Sequence, residues 1–282
     1  MPDRYAVIGN PVAHSVSPAI HSAFARETRQ DLVYERLLAP LDGFAAAVAR
    51  FGQDGGRGLN VTLPFKHEAY ALATRHSPRA AAAGAANTLK FEPGGALYAD
   101  NTDGAGLVRD LQVNLGFTLR AGRVLLMGAG GASYGVLEPL ARAAPAQLVV
   151  ANRTPEKATA LVGRFEATAS FVRYGLLACA YGELAGRQFD LVINATSAGV
   201  DGEVPPLPPG LFAPGALAYD MFYGAGPTPF VRYAQAQGAA RSADGYGMLV
   251  EQAAESFFVW RGVRPETREL IASRSLLVVK NV

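Results

Sequence analysis

The chain has 282 residues, half of them hydrophobic and 18% charged, a balance that builds a sizeable core and excludes a disordered chain. Its 26 basic and 24 acidic side chains leave a net charge of +2 with the Lys and Arg scattered, so neither nucleic acid nor a membrane surface is implied as a partner. The single cysteine, Cys179, excludes an internal disulfide framework or a Cys-based metal cluster and reads as a small core residue.

The N-terminus lacks a signal-peptide pattern, and no run approaches the roughly 20 apolar residues of a membrane span, so a cytoplasmic location is expected. The length suggests two domains. Residues 5–8 read as a strand closed by Gly9-Asn10-Pro11. Ser17 and Pro18 then read as the cap and first position of a helix. Strands at 32–38 and 58–62 and helices at 44–51, 66–73 and 79–86 follow. Residues 88–91 and 96–99 bracket Pro93-Gly94-Gly95 as a hairpin, and 104–115 reads as a connecting helix. The unbroken apolar run 123–127 predicts a buried parallel strand. Beyond it the pattern predicts helices at 136–144, 155–165 and 248–260, with strands at 147–151, 189–194 and 216–220. Strands alternating with helices predict an α/β protein whose second half is a doubly wound parallel sheet.

The turn after residue 127 is rich in glycine: Gly128-Ala129-Gly130-Gly131-Ala132-Ser133. A pyrophosphate needs free N–H groups, close backbone approach and a helix dipole, and a glycine turn between a strand and a helix supplies all three. Gly128 allows the tight turn, and Gly130 carries no Cβ to block the phosphates. The next strand ends Asn152-Arg153-Thr154, with no acid until Glu156. An acid there would hold the ribose 2′-hydroxyl of NAD, whereas Arg153 suits the 2′-phosphate of NADP. Thr154 can give its hydroxyl to that phosphate or cap the helix ahead of Pro155, and Lys157 lies one turn on.

Three polar clusters precede this unit. Ser15 and Ser17 sit at a helix start, where hydroxyls and the positive helix end suit a carboxylate, or where they serve only as caps. Thr62 and Lys66 close a strand beside apolar Leu63 and Phe65; a partly desolvated lysine there could exchange a proton with a carbonyl oxygen, although lysines are mostly solvated surface groups. Asp103, in Asp100-Asn101-Thr102-Asp103-Gly104 and after Asn87-Thr88, could pair with Lys66, or the segment could be only a turn.

Together these clusters resemble the shikimate dehydrogenase family over nearly the whole chain. The resemblance rests on residues 9–18 (Gly-Asn-Pro-Val-Ala-His-Ser-Val-Ser-Pro), 60–66 (Asn-Val-Thr-Leu-Pro-Phe-Lys), 84–88 (Gly-Ala-Ala-Asn-Thr) and 100–104, then on the glycine turn and Asn152-Arg153-Thr154. Asn194-Ala195-Thr196-Ser197, Asp220-Met221-Phe222-Tyr223 and 247–252 (Gly-Met-Leu-Val-Glu-Gln) complete it. It implies an NADP-dependent enzyme that interconverts 3-dehydroshikimate and shikimate, with dual use of quinate as the alternative. Lys66 would be the acid/base and Asp103 its partner. Ser15 and Ser17, with Tyr223, would bind the carboxylate; Thr62, Asn87, Asp103 and Gln252 would bind ring hydroxyls. The cofactor would meet Gly128, Ala129, Gly130, Gly131, Ala132, Asn152, Arg153, Thr154 and Lys157, with Thr196, Met221 and Gly245 on the nicotinamide side; no metal is implied. The expected division is a substrate domain of residues 1–103 plus 245–282 and an NADP domain of 104–244, in a monomer or homodimer. Tyr134 stands where many members have Arg, and Ala86 where Val is frequent.

Overall fold

A computed structural model describes residues 1–168, 175–196, 198 and 202–278; Ser197 of the motif above lies outside the described residues. The chain divides into two compact units, Met1–Gly106 with Leu249–Val282, and Leu107–Met248. In chain order the first unit holds β1 (Asp3–Gly9), α1 (Ser17–Glu27), β2 (Leu32–Leu38), α2 (Phe44–Gln53), β3 (Gly56–Val61), α3 (Lys66–Leu72), β4 (Arg75–His76), α4 (Pro78–Ala83), β5 (Thr88–Phe91), β6 (Leu97–Asp100) and the start of α5 (Asp103–Arg109). The second holds β7 (Arg123–Met127), α6 (Gly131–Arg142), β8 (Gln147–Asn152), α7 (Pro155–Thr168), β9 (Leu176–Ala180), β10 (Phe189–Asn194), β11 (Phe212–Asp220), α8 (Pro229–Ala236) and β12 (Arg241–Asp244). Most of α9 (Tyr246–Arg261) and all of α10 (Arg268–Ser273) return to the first unit.

The first unit is built on a six-stranded sheet in the order β2-β1-β3-β5-β6-β4. β1 pairs parallel with β2 and β3, and the β5–β6 hairpin runs antiparallel beside β3. One face of the sheet (Ala6, Ile8, Leu59, Val61, Leu89) packs on Phe44, Val48, Phe65 and Ala69 of α2 and the α3 entry. The other face gathers Tyr5, Val7, Tyr34 and Trp260, with Trp260 Nε1 donating to Leu89 O (2.9 Å).

The second unit is a six-stranded, wholly parallel sheet in the order β12-β11-β10-β7-β8-β9. Val124, Leu126, Leu148, Val150, Leu191 and Ile193 face one core, while Leu125, Met127, Val149, Ala151 and Val192 face a second. Alternate residues of a strand point to opposite faces, so two covered faces require the unbroken apolar runs that the sequence carries. Cys179 lies buried in the second core, and burial pushes its thiol pKa up.

Four differences from the sequence reading have local causes. Val16 rather than Ser17 occupies the cap of α1, and the Ser17 N–H is taken by Ser15 Oγ (3.3 Å). Gly84, in the left-handed region at φ 60°, stops α4 at Ala83. Residues 104–115 form α5 and then a widened π turn, Asp110–Asn114. Helix α6 starts directly from the glycine turn. The edge strands β9 and β12 and helix α8 have no counterpart in the sequence reading, although Thr228 caps α8 by accepting from Val231 N (3.2 Å) ahead of Pro229, a legible helix start. Among the described residues no helix is long and apolar enough to cross a membrane.

Candidate active site

The first unit carries a connected set of polar side chains at the ends of β3, β5 and β6 and on α9. Lys66 opens α3, and its Nζ lies 2.5 Å from Asp103 Oδ2. The two side chains keep 20% and 10% of their surface exposed, which leaves the pair reachable while most of its water is excluded. Asn87 Nδ2 donates to Asp103 Oδ1 (2.8 Å), so the carboxylate is held from both sides. The Asn87 amide cannot be reversed, because its Oδ1 accepts from the backbone N–H of Thr102 (2.8 Å) and from Thr88 Oγ1 (2.9 Å). Asn87 Nδ2 also faces Gln252 Oε1 (3.2 Å), which brings α9 to the same cluster.

Residues 66, 87, 103 and 252 therefore assemble around the ends of one sheet, and Thr62 follows the last residue of β3. Ser15 and Ser17 sit at the entry to α1 with their hydroxyls 3.2 Å apart, and Arg36 grips the Ser15 carbonyl (Nη2 to O, 2.6 Å). Tyr223 follows β11 in the second unit and packs against Tyr246. The other acid of the 100–104 segment, Asp100, does not face Lys66; Arg79 forks onto both its oxygens at 2.7 Å.

Sequence reasoning missed the layer beneath. Tyr34 Oη donates to Asn60 Oδ1 (2.7 Å), and Asn60 Nδ2 donates to Ser256 Oγ (2.9 Å), which in turn meets Thr88 Oγ1 (2.8 Å) and Thr102 Oγ1 (3.0 Å). All are buried. Burial holds the Tyr34 phenol pKa well above its ordinary value, so it remains a donor. An Asn within the buried strand β3 was the available signal, since a buried amide needs partners.

His21 stacks flat on Tyr34, with ring centroids 4.2 Å apart. It is fully buried, and neither ring nitrogen makes a hydrogen bond among the described residues. Burial pushes its pKa down to about 3, outweighing the opposite effect of the neighbouring Asn60 amide.

In the second unit, strand order reverses between β7 and β10, the switch point at which open α/β sheets bind ligands. Gly128 leaves β7 at φ +100°, a conformation L side chains rarely adopt, and a Cβ there would stand 3.1 Å from Ala195 O and Thr196 Cγ2. Among the described residues, no atom beyond the chain neighbours and the helix's own backbone lies within 4 Å of a would-be Cβ on Gly130 or Gly131, so the start of α6 faces open space there. Ser133 Oγ, buried in the turn, donates to Gly128 O (2.8 Å) and ties the loop shut. Asn152 Oδ1 accepts from Ala129 N (3.3 Å), and its Nδ2 donates to Thr154 O (2.8 Å). The glycine turn is thereby joined to the end of β8, where Arg153, Thr154 and Lys157 are exposed. Arg153 has no ion-pair partner among the described residues; its charge works against the burial that holds the Tyr181 phenol at about 12. Thr196 is held by Asn194 Oδ1 (Oγ1 donates, 2.7 Å), and Asn194 Nδ2 donates to buried Asp220 (3.0 Å). Gly245 lies against Met221, whose carbonyl a Cβ would strike.

A bare, dipole-bearing helix start, free N–H groups and an unpaired arginine at the next strand end fit a dinucleotide with a 2′-phosphate. A fold of this kind, with a polar acid/base cluster in its companion unit, defines a two-domain nicotinamide-dependent oxidoreductase.

Comparison with known proteins narrows the class. Family models for the shikimate dehydrogenase substrate binding domain, shikimate/quinate 5-dehydrogenase and the shikimate 5′-dehydrogenase C-terminal domain match residues 7–89, 111–200 and 245–272. The NADP(+)-dependent shikimate dehydrogenase of Aromatoleum aromaticum is 61% identical over 96% of both chains. Among solved structures, an Ael1 enzyme from Pseudomonas putida superposes with a TM-score of 0.87 at 52% identity, covering 96% of this chain and 97% of the other. The shikimate 5-dehydrogenase of Thermus thermophilus, solved with NADP(H) and shikimate, superposes with a TM-score of 0.85 at 35% identity, covering 98% of this chain and all of the other. The chain belongs to the shikimate dehydrogenase family.

Proposed function

We propose that this chain catalyses the reversible, NADPH-dependent reduction of 3-dehydroshikimate to shikimate. As a member of its family it is an oxidoreductase with a two-domain α/β fold. The observation that carries the reading of the site is the Lys66–Asp103 pair, with Asn87 on the free carboxylate oxygen.

Bound NADPH supplies the hydride for the ketone carbon. Lys66 gives a proton from Nζ to the ketone oxygen as negative charge develops there, and takes it back in the reverse direction. Asp103 holds the ammonium in place and offsets its charge, and Asn87 keeps the carboxylate from turning away. Thr62, Asn87, Asp103 and Gln252 bind ring hydroxyls, and Ser15 and Ser17, with Tyr223, bind the carboxylate. Gly128, Ala129, Gly130, Gly131 and Ala132 take the pyrophosphate; Asn152, Arg153, Thr154 and Lys157 take the adenosine end with its 2′-phosphate; Thr196, Met221 and Gly245 line the nicotinamide side. On this reading the substrate domain is residues 1–103 plus 245–282 and the NADP domain 104–244, bounds close to those of the two compact units, Met1–Gly106 with Leu249–Val282 and Leu107–Met248.

A steady-state assay crossing shikimate and quinate with NADP and NAD tests the reading. High kcat/KM for shikimate with NADP is expected. Turnover of quinate at a comparable rate would make the enzyme a dual one, and no turnover of either acid would remove the function.

A further inference from the structure

The parallel strands β1 and β3 end side by side. Thr62 N donates to Ile8 O and Asn10 N donates to Leu63 O, both at 3.0 Å, so the backbones of residues 9 and 62 are fixed as neighbours. A Cβ built on Gly9 would stand 2.4 Å from Thr62 Cγ2, closer than real Cβ atoms come. The Thr62 methyl therefore occupies the space that a side chain at position 9 would need. The other branch of Thr62, its hydroxyl, has no hydrogen-bond partner among the described residues.

Threonine carries a methyl and a hydroxyl on one carbon, and its χ1 takes only staggered values. Seating the methyl over the Gly9 α-carbon thus settles where the hydroxyl points. A methyl at residue 9 would expel the Thr62 methyl, and the nearest staggered escape is a turn of about 120°, which carries Oγ1 away from its present direction. The geometry points to Gly9 as the residue that aims the Thr62 hydroxyl: a positioning residue for substrate recognition that acts through the Thr62 methyl. The inference rests on the reading that Thr62 meets a ring hydroxyl of the acid.

The test is a set of three variants of the full chain, Gly9→Ala, Thr62→Ser and the two combined, assayed with shikimate and NADP. Gly9→Ala should raise the KM for shikimate about three- to tenfold, the worth of one hydrogen bond, with the KM for NADP unmoved. Serine has no methyl to expel, so the combined variant should return to the KM of Thr62→Ser alone. An unchanged KM in Gly9→Ala overturns the inference. So does a raised KM that Thr62→Ser fails to restore, which would place the cause at the Leu63 carbonyl, 3.2 Å from the same Cβ position. Should Gly9→Ala not fold, a folded combined variant with the Thr62→Ser KM supports the inference, and an unfolded one removes it. Failure of the functional reading is seen separately, as absence of wild-type turnover.

Discussion

The two halves of the molecule build their binding surfaces from different materials. In the second unit the surface is mostly backbone: a glycine turn at φ +100°, open space at Gly130 and Gly131, and the N–H groups at the start of α6. In the first unit it is side chains, drawn from the start of α1, from α3, the residue before β5, α5 and α9, most of them held by a hydrogen bond or ion pair to another. A backbone site tolerates changes in side chains that do not intrude on it. A side-chain site depends on every hydrogen bond that fixes an amide or a carboxylate. Substitutions in the first unit should therefore alter chemistry and substrate binding, and those in the second, cofactor choice.

The sharpest way to break this contrast is Lys66→Ala. It should lower kcat by roughly 10²–10⁴, the usual worth of a positioned general acid, with the KM for NADP unchanged; near-normal turnover would take Lys66 out of the chemistry. Next in size is Arg153→Ala. Loss of a charge-assisted contact worth about 1.5–3 kcal/mol should raise the KM for NADPH some 10- to 100-fold. NADH, which lacks the 2′-phosphate, should hardly respond, and equal weakening of both cofactors would undo the assignment.

His21 offers a third, through stability. Its folded pKa of about 3 lies below the ordinary 6.5, so the unfolded imidazole binds a proton first as pH falls. The stability that the neutral, buried ring contributes is complete above pH 6.5 and declines as the pH drops towards 3. Between neutrality and pH of about 5 the loss from this one group is about 2 kcal/mol. His21→Phe should flatten that slope in denaturant titrations, and a wild-type slope no steeper than the variant's would show that the ring is not buried as described. The smallest effect is expected at Ser133. Ser133→Ala leaves Gly128 O without its donor and should cost about 1 kcal/mol of stability, with the KM for NADP hardly altered, because the turn presents backbone rather than that hydroxyl. A large loss of NADP affinity would mean that the hydroxyl itself is part of the site.

Local patterns were enough to reveal the parallel strands β7, β8 and β10, whose central residues are apolar because both faces are covered, with polar residues confined to or near their ends. They also revealed the glycine turn, which is contiguous in the chain and shaped by backbone alone, and the family motifs. Of the edge strands, β12 was not legible, because an edge strand is half-exposed and need not carry an apolar run: it reads Arg-Ser-Ala-Asp. β9 does carry one, Leu-Leu-Ala-Cys-Ala, but five apolar residues by themselves do not tell a strand from a buried helix segment. The pairing of Lys66 with Asp103 was suggested by residue type, but residues 37 apart in the chain meet only when α3 and α5 start beside the same strand ends. The fixed amide of Asn87, the Tyr34–Asn60–Ser256 layer and the burial of His21 came entirely from tertiary packing. Periodicity and turn chemistry act over a few residues and so can be read along the chain. The direction of a hydrogen bond, or the room beside Gly9 for a threonine methyl, exists only once distant segments share one space.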